Sequence, residues 1–136
     1  MCSIINHIIF AERESKMNRR IPLQTNELKF FRQFLELLNP LFKLRQKELD
    51  VLAELMYKNN SLRGIPIKHR WKLIVDSASR KEMREKVKQS SASFNNNLAT
   101  LRKRNLISDD GIKSQLDIPY EPKFTLTFEF IQDDRI

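Results

Sequence analysis

Ser90-Ser91-Ala92-Ser93-Phe94-Asn95-Asn96-Asn97-Leu98-Ala99-Thr100-Leu101-Arg102-Lys103-Arg104-Asn105-Leu106-Ile107 is the stretch on which the reading of this chain turns. Phe94, Leu98 and Leu101 recur at helical spacing, so they share one inward face, and Ser90 stands where a helix N-cap is needed. The opposite face then presents Ser91, Ala92, Asn95, Asn96, Ala99, Arg102 and Lys103. That face is small, polar and free of acid, and Arg104 adds a further cation at its end. Small residues allow close approach to a groove, and an asparagine amide carries both a donor and an acceptor, which matches the N6 and N7 edge of adenine. Ser91 and the unpaired N–H groups of the first turn suit a phosphate.

Just upstream, Ser79-Arg80-Lys81-Glu82 has the form of a capping box and predicts the start of a short helix. Met83 and Val87 give that helix one inward face, and Lys88-Gln89 forms the turn into the next. Two helices joined by a tight turn are therefore expected. After them, Phe124, Leu126, Phe128 and Phe130 alternate with Thr125, Thr127, Glu129 and Ile131, the period of a strand with one buried face. A partner strand over 113–118 is expected across Pro119-Tyr120-Glu121-Pro122, with Asp109-Asp110 in a turn role where the chain enters the hairpin.

Ahead of this unit, a helix is expected over 26–38, capped by Thr25 or Asn26 and ended by Asn39-Pro40. Leu28, Phe31, Leu35 and Leu38 form its stripe, widened by Phe30, Phe34 and Leu37. So broad an apolar face suits burial on two sides, and this helix is the expected seam of a homodimer if one forms. A second helix over 45–58 turns Leu49, Leu52, Leu55 and Met56 inward and Glu48, Asp50 and Glu54 outward. Residues 59–67 read as a loop from Asn59-Asn60-Ser61, Gly64 and Pro66. A short helix over 68–75 follows, with Trp71 as a core anchor.

The segment Ser90 to Leu98 with Leu101 to Ile107 resembles the recognition helix of MarR-type bacterial winged-helix regulators. Their pattern is Ser-x-x-Thr-hydrophobic-Ser-x-x-Leu-x-x-Leu followed by a basic pair, Gly, Leu and Ile. Leu44 to Leu55, with Glu48, Val51 and Leu52, is similar to the helix preceding that unit, and the likeness spans residues 44–131. It implies a mainly α fold with a small C-terminal β-hairpin, the winged helix-turn-helix. It also implies groove contacts at Ser91, Ala92, Asn95 and Asn96 and a phosphate contact at Arg102. Asn105 stands where the family has Gly, a position asparagine tolerates in the left-handed conformation. The wing is acidic rather than basic, since Lys113 and Lys123 are outnumbered by Asp109, Asp110, Asp117 and Glu121. The long C-terminal dimerisation helix of the family has no counterpart.

The 136 residues suit one domain over 25–131, with an N-terminal arm at 1–24 and a tail at 132–136. Met17 is a second possible start. The net charge is +8, and its distribution matters more than its size. Residues 61–105 hold twelve Lys and Arg against three acids, whereas 106–136 hold three against seven. A polyanionic partner facing the first of these segments is the natural reading, and double-stranded DNA is the partner expected.

One cysteine and two distant histidines offer neither a disulfide nor a metal cluster, so no metal or cofactor is expected and the reducing cytoplasm, or a host's cytoplasm for a phage protein, is the expected location. The apolar start around Ile4 to Phe10 is too short to span a bilayer and lacks the flanks of a signal peptide. No phosphate loop or nucleophile–histidine pair appears, which argues against an enzyme. The expected function is a small DNA-binding transcriptional regulator. The alternative is a winged-helix interaction scaffold, or a phage-type packaging or virion assembly component, without sequence-specific reading.

Overall fold

The computed structural model describes residues 22–121, 123, 125, 127 and 129–132. Five helices, α1 (Glu27–Phe42), α2 (Gln46–Ser61), α3 (Ile67–Ile74), α4 (Ser77–Lys86) and α5 (Ser91–Lys103), lead into a two-stranded antiparallel hairpin, β1 (Ile107–Ser108) and β2 (Gly111–Ile112). Of the N-terminal arm, residues 1–21 lie outside this description, and 22–24 are exposed.

Helix α1 starts at Asn26, whose side chain accepts the Lys29 N–H at 3.0 Å. It runs past the expected stop at Asn39-Pro40. Proline in the last turn forfeits only one amide bond, and Lys43 N–H still reaches the Asn39 carbonyl at 2.7 Å. The helix ends where Lys43 turns left-handed, with φ 56°, and the Asn39 amide clamps both the N–H and the carbonyl of Leu44. Its buried stripe is Phe30, Phe31, Phe34 and Leu35. Leu28 and Leu37, expected inward, are 65 % and 52 % exposed. At 100° per residue they fall on opposite flanks of that stripe, about 90° from its centre.

Helix α2 is the hub, packing against α1, α3, α4 and α5 and burying Leu49, Val51, Leu52, Ala53, Leu55 and Met56. Glu48, expected outward, is buried instead. Its carboxylate folds back to accept the Arg45 N–H at 3.0 Å and the Arg45 guanidinium at 2.8 and 3.0 Å, so the first turn of α2 is capped from within. The expected loop from residue 59 shortens, because Asn59, Asn60 and Ser61 complete α2. Trp71 of α3 enters the core as expected, and Ile74 joins it.

The expected capping box at Ser79 is not formed. Asp76 is the cap, its carboxylate accepting the Ser79 N–H at 2.8 Å, so α4 begins at Ser77. A carboxylate is the stronger acceptor at the positive end of a helix, and Glu82 pairs instead with Lys58 of α2. Met83 is buried, and the chain turns at Lys88 with φ 56°.

The hairpin lies earlier than expected. Ile107 pairs with Ile112 and Ser108 with Gly111 around a tip of Asp109 and Asp110. The turn residues demand this: the Ser108 hydroxyl accepts the Asp110 N–H at 3.2 Å, and Gly111 takes φ 141°, a conformation open to glycine. Residues 113–118, expected as a strand, form a 3₁₀ turn at Ser114–Leu116 that drops Leu116 into the core. Asp117 then accepts from Asn59 at 2.7 Å and Arg63 at 2.9 Å, anchoring the chain across the end of α2, and Tyr120 packs edge-on against Phe30. Of the expected strand over 124–131, residues 124, 126 and 128 lie outside the description. The described residues from 125 to 132 carry no strand, and Phe130, expected inward, is exposed.

Candidate nucleic-acid interface

Ser90 caps α5 as its position predicts, accepting the Ser93 N–H at 3.1 Å. Phe94, Leu98 and Leu101 are buried, which rotates Ser91, Ala92, Asn95, Asn96, Ala99, Arg102 and Lys103 into solvent. Every groove residue expected from the sequence therefore stands on one exposed helix surface, and no acid interrupts it. Asn105 follows with φ 62°, the left-handed conformation anticipated for it, and lets Leu106 N–H return to the Leu101 carbonyl at 3.0 Å.

The pitch of this helix is held by a contact the sequence did not reveal. Asn97, within the asparagine run, is buried and donates to the Gln89 side-chain carbonyl at 2.8 Å. Gln89, in the turn before α5, donates in its turn to the Lys47 backbone carbonyl at 3.2 Å. The relay ties α5 and its leading turn to the first turn of α2. Three consecutive asparagines thus divide their work: two face out and one locks the helix down.

A depression opens on each side of α5. One, of about 130 Å³, lies toward α4 and is lined by Ser77, Arg80, Arg84, Ser91 and Asn95. The other, of about 530 Å³, lies toward the start of α2 and is lined by Arg45, Gln46, Lys47, Ser93, Asn96 and Asn97. Arg80, Arg84, Arg45 and Lys47 were not singled out from the sequence. The spacing of Arg80 and Arg84, one helical turn apart in the helix before α5, was the available signal.

The cations of the molecule divide by location. Arg32 donates to Asp50, Glu36 and Gln46; Arg63 to Asp117; and the buried Arg70 to Asn59 and two backbone carbonyls. Lys58 pairs with Glu82, and Lys86 with Glu54 while lying over the Tyr57 ring. These brace the scaffold. Among the described residues, no carboxylate pairs with Arg80, Arg84, Lys47 or Lys103.

The three basic residues at the end of α5 are not equivalent. Lys103 is exposed and unpaired among the described residues, and Arg102 sits 3.8 Å from the exposed Asp109, a weak pair in water. Arg104 turns away from the outer face and donates to the carbonyls of Phe42 and Lys43, closing the C-terminal end of α1. Its charge also reaches Glu48. Burial pushes the Glu48 carboxyl up, but the Arg45 N–H, the Arg45 guanidinium and the Arg104 charge together hold it below the ordinary carboxylate value.

Among the described residues no three His, Cys, Asp or Glu gather where they could hold a metal ion, and no helix is long and apolar enough to cross a membrane. No family model, curated protein or solved structure matches this chain.

Proposed function

We propose that this chain binds duplex DNA as a winged helix-turn-helix protein, with α4 and α5 as the helix pair and α5 laid in the major groove, and that it serves as a small transcriptional regulator. The observation that carries the reading is the outer face of α5. It is exposed, small at Ser91, Ala92 and Ala99, amide-bearing at Asn95 and Asn96, and bordered by Arg80, Arg84, Lys47 and Lys103, which have no carboxylate partner among the described residues. A helix about 10–12 Å across fits a major groove about 12 Å wide, and only small or hydrogen-bonding side chains let it sit deep enough to read base edges. Asn95 and Asn96 read bases, and Ser91, Arg102 and Lys103 meet phosphates. Arg104 serves the fold.

Asp109 and Asp110 at the hairpin tip favour one other reading, an interaction scaffold or assembly component that does not read DNA. In the DNA reading this hairpin stays off the duplex. Dimerisation along α1 belongs to the same proposal, since Leu28, Leu37 and Leu41 stand exposed there, and a two-fold protein would select a palindromic site.

Selection from random duplex DNA at about 0.1 M salt, where contacts beyond roughly 10 Å are screened, tests the reading. An enriched motif, with affinity falling steeply as salt rises, is the expected result. Absence of binding to any duplex at low salt overturns it in favour of the scaffold.

A further inference from the structure

We infer that the two depressions beside α5 seat backbone phosphates of opposite DNA strands, Arg80 and Arg84 holding one strand and Lys47, with Arg45, the other. The inference rests on the proposed docking of α5 and deepens it by assigning each strand to a different element of the fold.

A helix that fills the major groove has a phosphate backbone along each side. Ser91, Arg102 and Lys103 of α5 supply some of the phosphate contacts in this reading, and further contacts to the two backbones come from whatever flanks the helix. Here both flanks are basic. Toward α4, Arg80 and Arg84 lie one turn apart and line the same depression as Ser91 and Asn95. Toward α2, Lys47 and Arg45 line a second depression with Ser93 and Asn96. Asn95 and Asn96 thus stand on opposite sides of the helix crest, each next to its own basic rail.

The state of these cations points to an external anion. Like charges one helical turn apart destabilise a helix unless something neutralises them. Among the described residues every other arginine has an acid or a carbonyl partner, as at Arg32, Arg63 and Arg70. Neither Arg80 nor Arg84 has a carboxylate partner among the described residues. Two planar guanidiniums converging on a polar hollow match phosphate oxygens in a forked geometry that lysine lacks.

The second rail is the weaker. The Lys47 ammonium is free of carboxylates among the described residues, but the Nε and Nη2 of Arg45 are engaged by Glu48, leaving Nη1 for a phosphate. The two strands should therefore be gripped unequally, more tightly on the α4 side.

The test uses the full chain and the duplex enriched by selection, resynthesised with single neutral methylphosphonates placed along each strand in turn. Wild type should lose affinity to neutral linkages on both strands. R80Q/R84Q should become insensitive to those on one strand only and lower the salt slope by about two units, whereas K47Q should become insensitive on the other strand and lower it by about one. R80K/R84K keeps the charge, so it should preserve the salt slope while losing part of the affinity, and unfolding curves of all variants separate loss of contact from loss of fold. Both variants losing sensitivity on the same strand, or folded variants that keep the wild-type pattern, would overturn the inference while leaving the DNA reading intact. Failure of wild type to enrich any duplex would sink both.

Discussion

Arg104 ends a run of three basic residues that looks, in the sequence, like one phosphate-binding cluster, and Arg104→Ala separates charge from architecture. The guanidinium donates to the Phe42 and Lys43 carbonyls, where α1 gives out and the chain has just turned left-handed. Hydrogen bonds of this kind contribute about 0.5–1.5 kcal/mol each, toward the lower end here because Arg104 is exposed and water competes. A cation at a helix C-terminus adds about 0.3–1 kcal/mol. Together they put the loss at about 1–2 kcal/mol. For a domain of this size that lowers the thermal midpoint by roughly 5–10 °C and the urea midpoint by about 1 M. Lys103→Ala is the control: it should leave both midpoints within the scatter of surface substitutions, about 0.5 kcal/mol, yet flatten the salt dependence of DNA binding by about one unit. The reasoning is refuted if Arg104→Ala unfolds like wild type while its salt slope drops.

Four other outcomes are expected. Asn95→Ala or Asn96→Ala should cost about 1–3 kcal/mol on the selected duplex, measured by fluorescence anisotropy, and relax the preference at one base pair; unchanged preference in both would remove them from base reading. Asn97→Ala should destabilise the fold by about 1–2 kcal/mol in urea, and a double-mutant cycle with Gln89→Ala should show coupling, since both residues serve one relay. Because the folded Glu48 carboxyl sits below its ordinary value, its stabilisation is complete above the ordinary carboxylate range and lost as pH falls through the depressed value. Glu48→Gln should therefore be less stable at neutral pH and flatten the acid limb of stability in unfolding curves taken at stepped pH. Gly111→Ala should cost about 1–3 kcal/mol in thermal unfolding, since φ 141° strains any side chain although no neighbour would touch the new Cβ.

The inward face of α5 was legible because Phe94, Leu98 and Leu101 are large and apolar at one period, and the outward face follows from it by rotation alone. Ser90 was legible for a similar reason, as the local cap of a local helix. Legibility failed where a polar residue has a distant partner. Glu48 reads as a surface acid until Arg45 draws it under the helix end, and Asn97 reads like its neighbours until Gln89 reaches it from the preceding turn. At Asp76 and Ser79 two acceptors were available for one helix start; the Asp76 carboxylate took it, and Glu82, the other half of the expected box, pairs with Lys58, twenty-four residues away. The hairpin was misplaced because strand alternation at 124–131 is a longer signal than the short turn Ser108-Asp109-Asp110-Gly111, whereas hydrogen-bonding and glycine geometry at that turn set the ladder.

Taken with the division of the cations, the misplaced hairpin also gives the proposed docking a polarity. The tip acids Asp109 and Asp110 follow the C-terminal end of α5, and Asp109 already draws Arg102 to 3.8 Å. At the other end, Arg80, Arg84 and Lys47 flank the residues from Ser91 to Asn96. A phosphate backbone approaching α5 thus meets attraction over the first two turns and repulsion beyond the last one. At physiological salt, with a screening length of about 8 Å, the two ends of a 13-residue helix, roughly 20 Å apart, act almost independently. The duplex in this reading is read from the N-terminal half of α5, through Asn95 and Asn96, while the acidic hairpin keeps it from sliding along the helix. Reversing those acids in Asp109→Lys/Asp110→Lys should then strengthen binding to all duplexes alike and steepen the salt slope, without sharpening sequence preference. A gain confined to the selected site would instead make the hairpin part of base recognition and remove this polarity.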